Sequence, residues 1–416
     1  MRYLAPFKFL TSLGRKGLFL PFLGVLLLLS SSSISSQPSQ TVVRPHLGYG
    51  ANIAELSDTD ILTEMGFGWF VHYLDWAGAE PSKGNYDWAH LDKIINAGQS
   101  SGLKAILRVQ LTPDWAWSGS GDTTGPPDDM NDFGDFMEAL ATYARGKIAG
   151  YVIWNEPNLP YEWGGNDPNP TQYVQMLQAV YLRIKAADPE ALVITAGMAT
   201  TGGGGGAACG VGRAIALQEV SPFTQKLYTA GVMSDLDFIC GIYQSGGKGY
   251  FDVLGSHPYG FAATFDELPS TGLAFRRVEQ QRAVMEAMED GDKQIWAIEF
   301  GWVLYPGESC HYTHDWEWRW GQIVSEEEQA TNLRGAYQYA YHYWPWMGVM
   351  SFFNLDFATV PWYDYCQPMR FYSVVYRDIP GVDPLRYRQA YTALQDMVKP
   401  TSGPYKGYLP FIHKGS

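Results

Sequence analysis

From residue 46 onward, short apolar runs alternate with longer segments in which apolar residues recur at spacings of three and four. The runs His46–Ile53, Trp69–Trp76, Leu103–Gln110, Gly150–Asn155, Ala191–Gly197, Phe251–His257, Ile295–Glu299 and Met347–Asn354 have the length and composition of strands. Segments such as Tyr86–Gly102, Thr171–Pro189, Arg276–Asp290 and Glu326–Tyr343 carry the helical period, and a last helix is expected over Pro384–Val398. Eight strands interleaved with helices predict an α/β chain whose parallel sheet closes into a (β/α)8 TIM barrel in a single domain. A doubly wound open sheet is the rival. The glycine run Thr201–Gly212 lacks the strand, G-x-G-x-x-G and helix unit of a dinucleotide site, so it reads as a flexible loop after strand five.

The amino terminus departs from this alternation. Arg2, Lys8, Arg15 and Lys16 precede an apolar run from Leu18 to Leu29, and serines follow. Basic, apolar and small segments in that order are those of a secretory signal, with cleavage expected between Ser30 and Gln40, and the run is short for a membrane span. The expected domains are a signal peptide or N-terminal anchor over 1–36, a catalytic barrel over 41–400 and a tail over 401–416. Export places the chain outside the cytoplasm, secreted or in the cell envelope, with membrane attachment only if the signal stays uncleaved.

Composition narrows the function. The apolar fraction of 46% and charged fraction of 17% are those of a globular chain. A net charge of -14, with no Lys/Arg cluster after residue 16, excludes nucleic acid as a partner, because phosphates are bound by clustered cations. With 15 Trp and 27 Tyr, the chain is rich in flat rings with polar tips, which suit sugar faces as well as cores.

In a barrel of this kind, catalytic groups come from the C-terminal ends of strands. Two carboxylates end strands here: Glu156 in YVIWNEP and Glu299 in QIWAIEF. One carboxyl held protonated and one ionised can hydrolyse a glycosidic bond. His257 and Tyr259, two apart at the end of strand six, share a face and can both reach the barrel mouth.

WNEP (Trp154–Pro157), SHPYG (Ser256–Gly260) and IEFGW (Ile298–Trp302), in this order on strands four, six and seven, resemble the clan A glycoside hydrolases, which include cellulases, mannanases and β-xylosidases. The resemblance implies that Glu156 is the general acid/base and Glu299 the nucleophile of a retaining reaction. It implies that Asn155 binds the 2-hydroxyl of the sugar being cleaved, that Tyr259 orients the nucleophile, and that His257 belongs to the same site. A retaining pair further implies carboxyl groups roughly 5–5.5 Å apart, against 6.5–9.5 Å for an inverting pair. The chain departs from the clan's pattern twice. Val71, His72 and Tyr73 stand where many members carry a strand-two arginine, and Phe352 and Phe353 where a strand-eight tryptophan floors the sugar site. Arg108 on strand three is open to two roles, substitute for that arginine or partner of a core acid.

Trp302 and Trp115, with Trp117 and Trp163, are candidate sugar-stacking rings, the alternative for each being a cap on the core. The proposed chemistry needs no cofactor. His311 and His314 in CHYTHDWEW lack a third ligand at recognisable spacing, so no metal site is expected. Four cysteines in an exported chain permit three pairings. Cys310 and Cys366 fall in neighbouring loops after strands seven and eight, and Cys209 and Cys240 both lie between strands five and six, which favours those two bridges. The sequence thus predicts a secreted retaining β-glycosidase acting on a β-linked polysaccharide or oligosaccharide. Its partner is a carbohydrate, and no stable membrane contact is expected after signal cleavage. The alternative is a carbohydrate-binding barrel that has lost turnover. No ester hydrolase is expected, since no G-x-S-x-G stands between an expected strand and the helix after it, as a nucleophile elbow requires.

Overall fold

The eight expected strands all form: β1 (Gly48–Asn52), β2 (Trp69–Asp75), β3 (Lys104–Gln110), β4 (Gly150–Ile153), β5 (Leu192–Thr195), β6 (Val253–His257), β7 (Gln294–Phe300) and β8 (Met347–Phe352). The structure is a computed structural model that describes residues 46–119, 125–203, 206–211, 231–269, 272–307, 310, 323–379 and 382–400. The expected signal, the tail and the His311/His314 pair lie outside these residues. Each strand pairs in parallel with its sequence neighbours, and β8 pairs with β1. Between β5 and β6 the ring closes through Ile194 and Val253, and Met198–Ala199 extends the pairing beside Ser256 and His257. The sheet is therefore a closed barrel and not the open alternative.

A helix follows every strand: α1 (Thr59–Glu64), α2 (Ala89–Ser101), α3 (Met130–Tyr143), α4 (Pro170–Ala187), α5 (Asp235–Gln244), α6 (Val278–Ala287), α7 (Glu326–Tyr343) and α8 (Gln389–Gln395). Local chemistry sets their ends. Gly102 takes a left-handed φ of 73° and stops α2. Asn169 caps α4 ahead of Pro170, and Ser325 and Glu328 form a reciprocal capping box on α7. The final helix is shorter than its periodicity suggests because Arg386–Tyr387 instead pairs with Val375–Tyr376.

Two apolar layers result. Inside the ring, Val71, Ile106, Val152, Ile194, Val253, Ile298 and Val349 fill the axis above Trp69 and Trp296, whose rings meet edge to face at 5.4 Å. Gly48 makes room for them, since a Cβ there would stand 2.6 Å from Trp69 Nε1. The larger layer lies between the barrel's outer face and the helices. The glycine run begins, as expected, in a loop after β5, with one turn at Ala207–Cys209. Both favoured disulfides are present, Cys209–Cys240 and Cys310–Cys366.

One ion pair is buried in the outer layer. Asp235, first residue of α5, accepts from Arg277 Nε at 3.1 Å and Nη2 at 2.9 Å, and from Gln281 Nε2 at 2.9 Å. Neither partner is more than 1% exposed. Removing one side leaves an unpaired buried charge, so Asp235→Ala is expected to lose about 3–5 kcal/mol in urea unfolding. Asp235→Asn, which keeps an acceptor, should lose less.

Candidate active site

The site is built where β4 ends. Trp154 and Glu156 take φ of 74° and 35°, a region side chains avoid and which costs of order 1–3 kcal/mol per residue. The chain holds this turn by bonding its flanks. The Trp154 amide donates to Val109 O at 3.0 Å, and its buried indole Nε1 donates to Glu162 O at 2.8 Å. The indole also meets Trp163 edge-on at 5.9 Å. With the tryptophan turned into the outer layer, Asn155 and Glu156 face the barrel mouth.

Glu299 arrives by a different irregularity. Ile298 packs in the barrel interior while Ala297 and Phe300 pack outside, so simple alternation would send Glu299 outward with them. The register of β7 against β8 shifts between Ile295 and Ala297 and again between Ala297 and Phe300. Such bulges re-aim side chains, and here Glu299 turns inward beside Ile298.

The groups then converge. His257 Nδ1 lies 2.8 Å from Glu156 Oε1 and 3.6 Å from Glu299 Oε2. One oxygen of each glutamate and a His257 nitrogen all fall within 4.8 Å of one another. Tyr259 donates its hydroxyl to Glu299 Oε2 at 2.7 Å, and Arg108 Nη1 contacts Glu299 Oε1 directly. A second bond from Arg108 Nη1 reaches Asn155 Oδ1 at 2.7 Å, and the guanidinium lies over the Tyr73 ring at 4.1 Å. The Glu156 side chain keeps 15% of its exposure while Glu299 keeps 7% and His257 none.

These environments separate the carboxyls electrically. Burial by itself would raise Glu299, but His257, Arg108 and the Tyr259 hydrogen bond outweigh it and hold the carboxyl below its ordinary range. Burial pushes Tyr259 well up, and the Glu299 charge adds to it, so its hydroxyl stays a donor. A third acid, Glu162, is pushed up to about 8 by burial and by the charge of Glu156, with Arg108 and a hydrogen bond to Asn155 opposing. Glu156, His257 and Glu299 present three donor atoms close enough for a metal ion. Both Glu299 oxygens already accept a hydrogen bond, Oε1 from Arg108 and Oε2 from Tyr259.

Of the residues singled out in the sequence, Asn155, Glu156, His257, Tyr259 and Glu299 come together. Trp302 does not join them. It is 1% exposed, packs on Phe275 at 5.8 Å and donates to Ala263 O, which makes it a core cap. Trp163 is likewise buried, donating to Gln172. Trp115 is half-buried, donates to Glu80 O and stands edge-on to Trp76 at 5.7 Å, with no contact to the carboxylates. Arg108 stands beside Glu299, as the first of its two roles requires. Phe353, just past the end of β8, packs on Tyr259, Phe357 and Tyr372. Tyr73 and Glu162 were not foreseen. Alternation could have found the first: Val71 and Tyr73 share the inner face of β2, and Tyr73 pairs in register with Arg108. Glu162 sits in a single 3-10 turn, Pro160–Trp163, with no periodicity to mark it.

The chain is similar to known proteins in part of its sequence and in its fold. The profile of the cellulase family, glycosyl hydrolase family 5, matches residues 41–225. No curated protein sequence matches the chain. Among solved structures, a family 39 glycoside hydrolase from the gut symbiont Bacteroides cellulosilyticus WH2 superposes with a TM-score of 0.56 at 18% identity over 85% of this chain. A glucosidase from Croceicoccus marinus follows at 0.53 and 14% over 85%, and xylanase B from Clostridium stercorarium F9 at 0.51 and 13% over 84%. The match covers 63%, 65% and 97% of those three chains, so this chain spans less than two thirds of the first two. At such identities these structures speak for the barrel fold alone, and the profile makes residues 41–225 similar to the cellulase family.

Proposed function

We propose that the protein is an exported β-glycosidase acting on a β-linked polysaccharide or oligosaccharide, with Glu299 as nucleophile and Glu156 as general acid/base. The observation that carries this reading is the pairing of unlike carboxyls. Glu299 is buried and held ionised by Arg108, Tyr259 and His257, while the more exposed Glu156 reaches within 4.8 Å of it. An approach this close suits a nucleophile and an acid/base that act on one anomeric carbon.

The chemistry follows from the positions. A Glu299 oxygen attacks the anomeric carbon as the bond to the leaving oxygen breaks, and Glu156 gives that oxygen its proton. Water then gives a proton to Glu156 and attacks the anomeric carbon, which releases Glu299 as carboxylate and returns the enzyme to its starting state. Tyr259 and Arg108 hold the nucleophile in place between the two steps. Asn155, anchored by Arg108 through its oxygen, keeps its amide N–H groups for the 2-hydroxyl of the sugar. The alternative of a binding barrel without turnover drew on the missing strand-two arginine and strand-eight tryptophan. Arg108 at Glu299 and Phe353 beside Tyr259 weigh against it.

Incubation with a panel of 2-fluoro activated β-glycosides is expected to add one sugar mass to the intact protein, with the label on Glu299. Glu299→Gln and Glu156→Gln should each lower kcat/KM on natural glycosides at least about a hundredfold. Retained carbohydrate binding with no labelling and no effect of either substitution would favour the turnover-free alternative.

Arg108 gives a pH test with a defined sign. The nucleophile attacks only when ionised, and Arg108 favours the ionised form. Arg108→Met should therefore move the acidic limb of the kcat/KM profile to higher pH, with Arg108→Lys between it and wild type. An unmoved acidic limb would mean that the guanidinium does not set the charge of Glu299.

A further inference from the structure

The rim of the barrel carries polar groups that the mechanism does not use. Along β2 and β3 the inward side chains climb in pairs. Val71 and Ile106 pack inside the ring, and Tyr73 and Arg108 stand one level nearer the mouth, where Arg108 reaches Glu299. The next inward pair, also in register, is Asp75 and Gln110, the last residues of their strands. Gln110 Oε1 is buried without a hydrogen-bond partner. Asp75 is exposed, and its carboxylate does not cap the short helical turn Trp76–Ala79 that follows it. A bare buried acceptor costs about 1–3 kcal/mol unless a donor comes to it. A ring approaches the same wall from the far side of the mouth. In the loop after β8, the half-buried Tyr363 stacks on Phe357 at 5.4 Å and 12°, and Phe357 meets Tyr73 at 6.2 Å. The Cys310–Cys366 disulfide fixes that loop, together with Arg370 Nη1, which donates to Val360 O and Tyr363 O at 3.4 Å each.

We propose that Tyr363, Gln110 and Asp75 form a binding subsite for a second, uncharged sugar unit, the one attached on the non-reducing side of the sugar that Glu299 attacks. Tyr363 packs on the C–H face of that unit, Gln110 Oε1 accepts from one of its hydroxyls and Asp75 from another. The side of the mouth follows from the roles. Glu156, at the end of β4, gives its proton to the leaving oxygen, so the departing part of the chain lies toward β4. Tyr363 belongs to the loop after β8, which stands across the ring from β4, and through Phe357 it leans toward Tyr73 on β2. Charge selects the unit. A uronate held here would face the Asp75 carboxylate, with the buried Glu299 charge below it, whereas neutral hydroxyls donate to acceptors without that repulsion. The subsite deepens the glycosidase reading: the substrate is a neutral β-linked chain recognised through at least two consecutive sugars, and a single sugar on its leaving group uses only part of the site.

The inference rests on the glycosidase reading, and the test separates the two. Nitrophenyl β-glucoside, β-xyloside and β-mannoside are compared with nitrophenyl glycosides of the matching β-linked disaccharides, following release of nitrophenol and of intact disaccharide. In the sugar series that the enzyme accepts, the second unit is expected to raise kcat/KM about tenfold or more, the effect of one stacked ring and its hydrogen bonds. Tyr363→Ala and Gln110→Ala should each lower kcat/KM more on the disaccharide glycoside than on the monosaccharide one, compressing that ratio to about threefold or less. Tyr363→Phe, which keeps the ring, should retain most of the ratio. If either alanine variant loosens the loop or the strand end, Asp75→Ala makes the same test at an exposed position. A wild-type ratio of about one, or a ratio that all three alanine variants retain, overturns the subsite, while turnover and labelling at Glu299 leave the glycosidase reading standing. A Tyr363→Phe variant as compressed as Tyr363→Ala overturns the stacking role and with it the subsite as proposed. A wild type that neither turns over any of these glycosides nor takes a label at Glu299 overturns both.

Discussion

A carboxylate taken out of water must be paid for in charge, and the ionic contact between Arg108 and Glu299 is what allows an acid to sit ionised at 7% exposure in the centre of a barrel. The effective penalty for burying one such ion is several kcal/mol, and it is offset only where geometry and further hydrogen bonds are good. Here the further bonds are the Tyr259 hydroxyl on the other oxygen and the Asn155 carbonyl on the same guanidinium. Tyr73 covers the remaining face of Arg108 as a π surface at 4.1 Å. Each neighbour is chosen by what a guanidinium can accept as company: oxygens at its edge and a ring on its face. The orientation of Asn155 follows from that choice.

The barrel makes the contact possible without bringing the residues together in sequence. Closure through β5 and β6 sets β3 and β7 on facing walls, and Arg108 spans the axis to Glu299. A cation entering from β3 instead of β2 changes which strand supplies the charge and leaves the charge in place. Tyr73, the register partner of Arg108, occupies the strand-two wall and supports the guanidinium that stands in for a strand-two arginine.

The architecture was legible because parallel barrel strands, buried on both faces, write themselves as apolar runs, and all eight such runs became strands. Their ends were less legible. The run Gly150–Asn155 stops as a strand at Ile153 because Trp154 turns to positive φ, a change no propensity marks on a tryptophan. Glu299 was found by motif, since the alternation of β7 points it the wrong way until the bulge corrects it. The indoles show the opposite failure. Trp302 follows Glu299 by three positions, yet those positions carry it past the barrel wall into the helix layer, and adjacency in sequence gave no sign of the change of face. Glu162 was invisible because its neighbourhood is made by a tight turn and not by any period.

The site holds three carboxyls against one guanidinium, so its protons must be distributed as well as counted. On the proposed assignment, forming the glycosyl-enzyme converts Glu299 from carboxylate to neutral ester and Glu156 from acid to carboxylate. The total charge is unchanged, but the negative charge moves from beside Arg108 toward Glu162. Glu156 weighs more heavily on Glu162 than Glu299 does, after burial itself. On that assignment the charge of Glu156 holds the proton on Glu162 more tightly in the intermediate than in the free enzyme. A third acid that ionised at that moment would compete with the attack by placing a second negative charge beside the first. The arrangement works because the acid that would be most harmful when charged is the one that burial and its neighbours keep neutral.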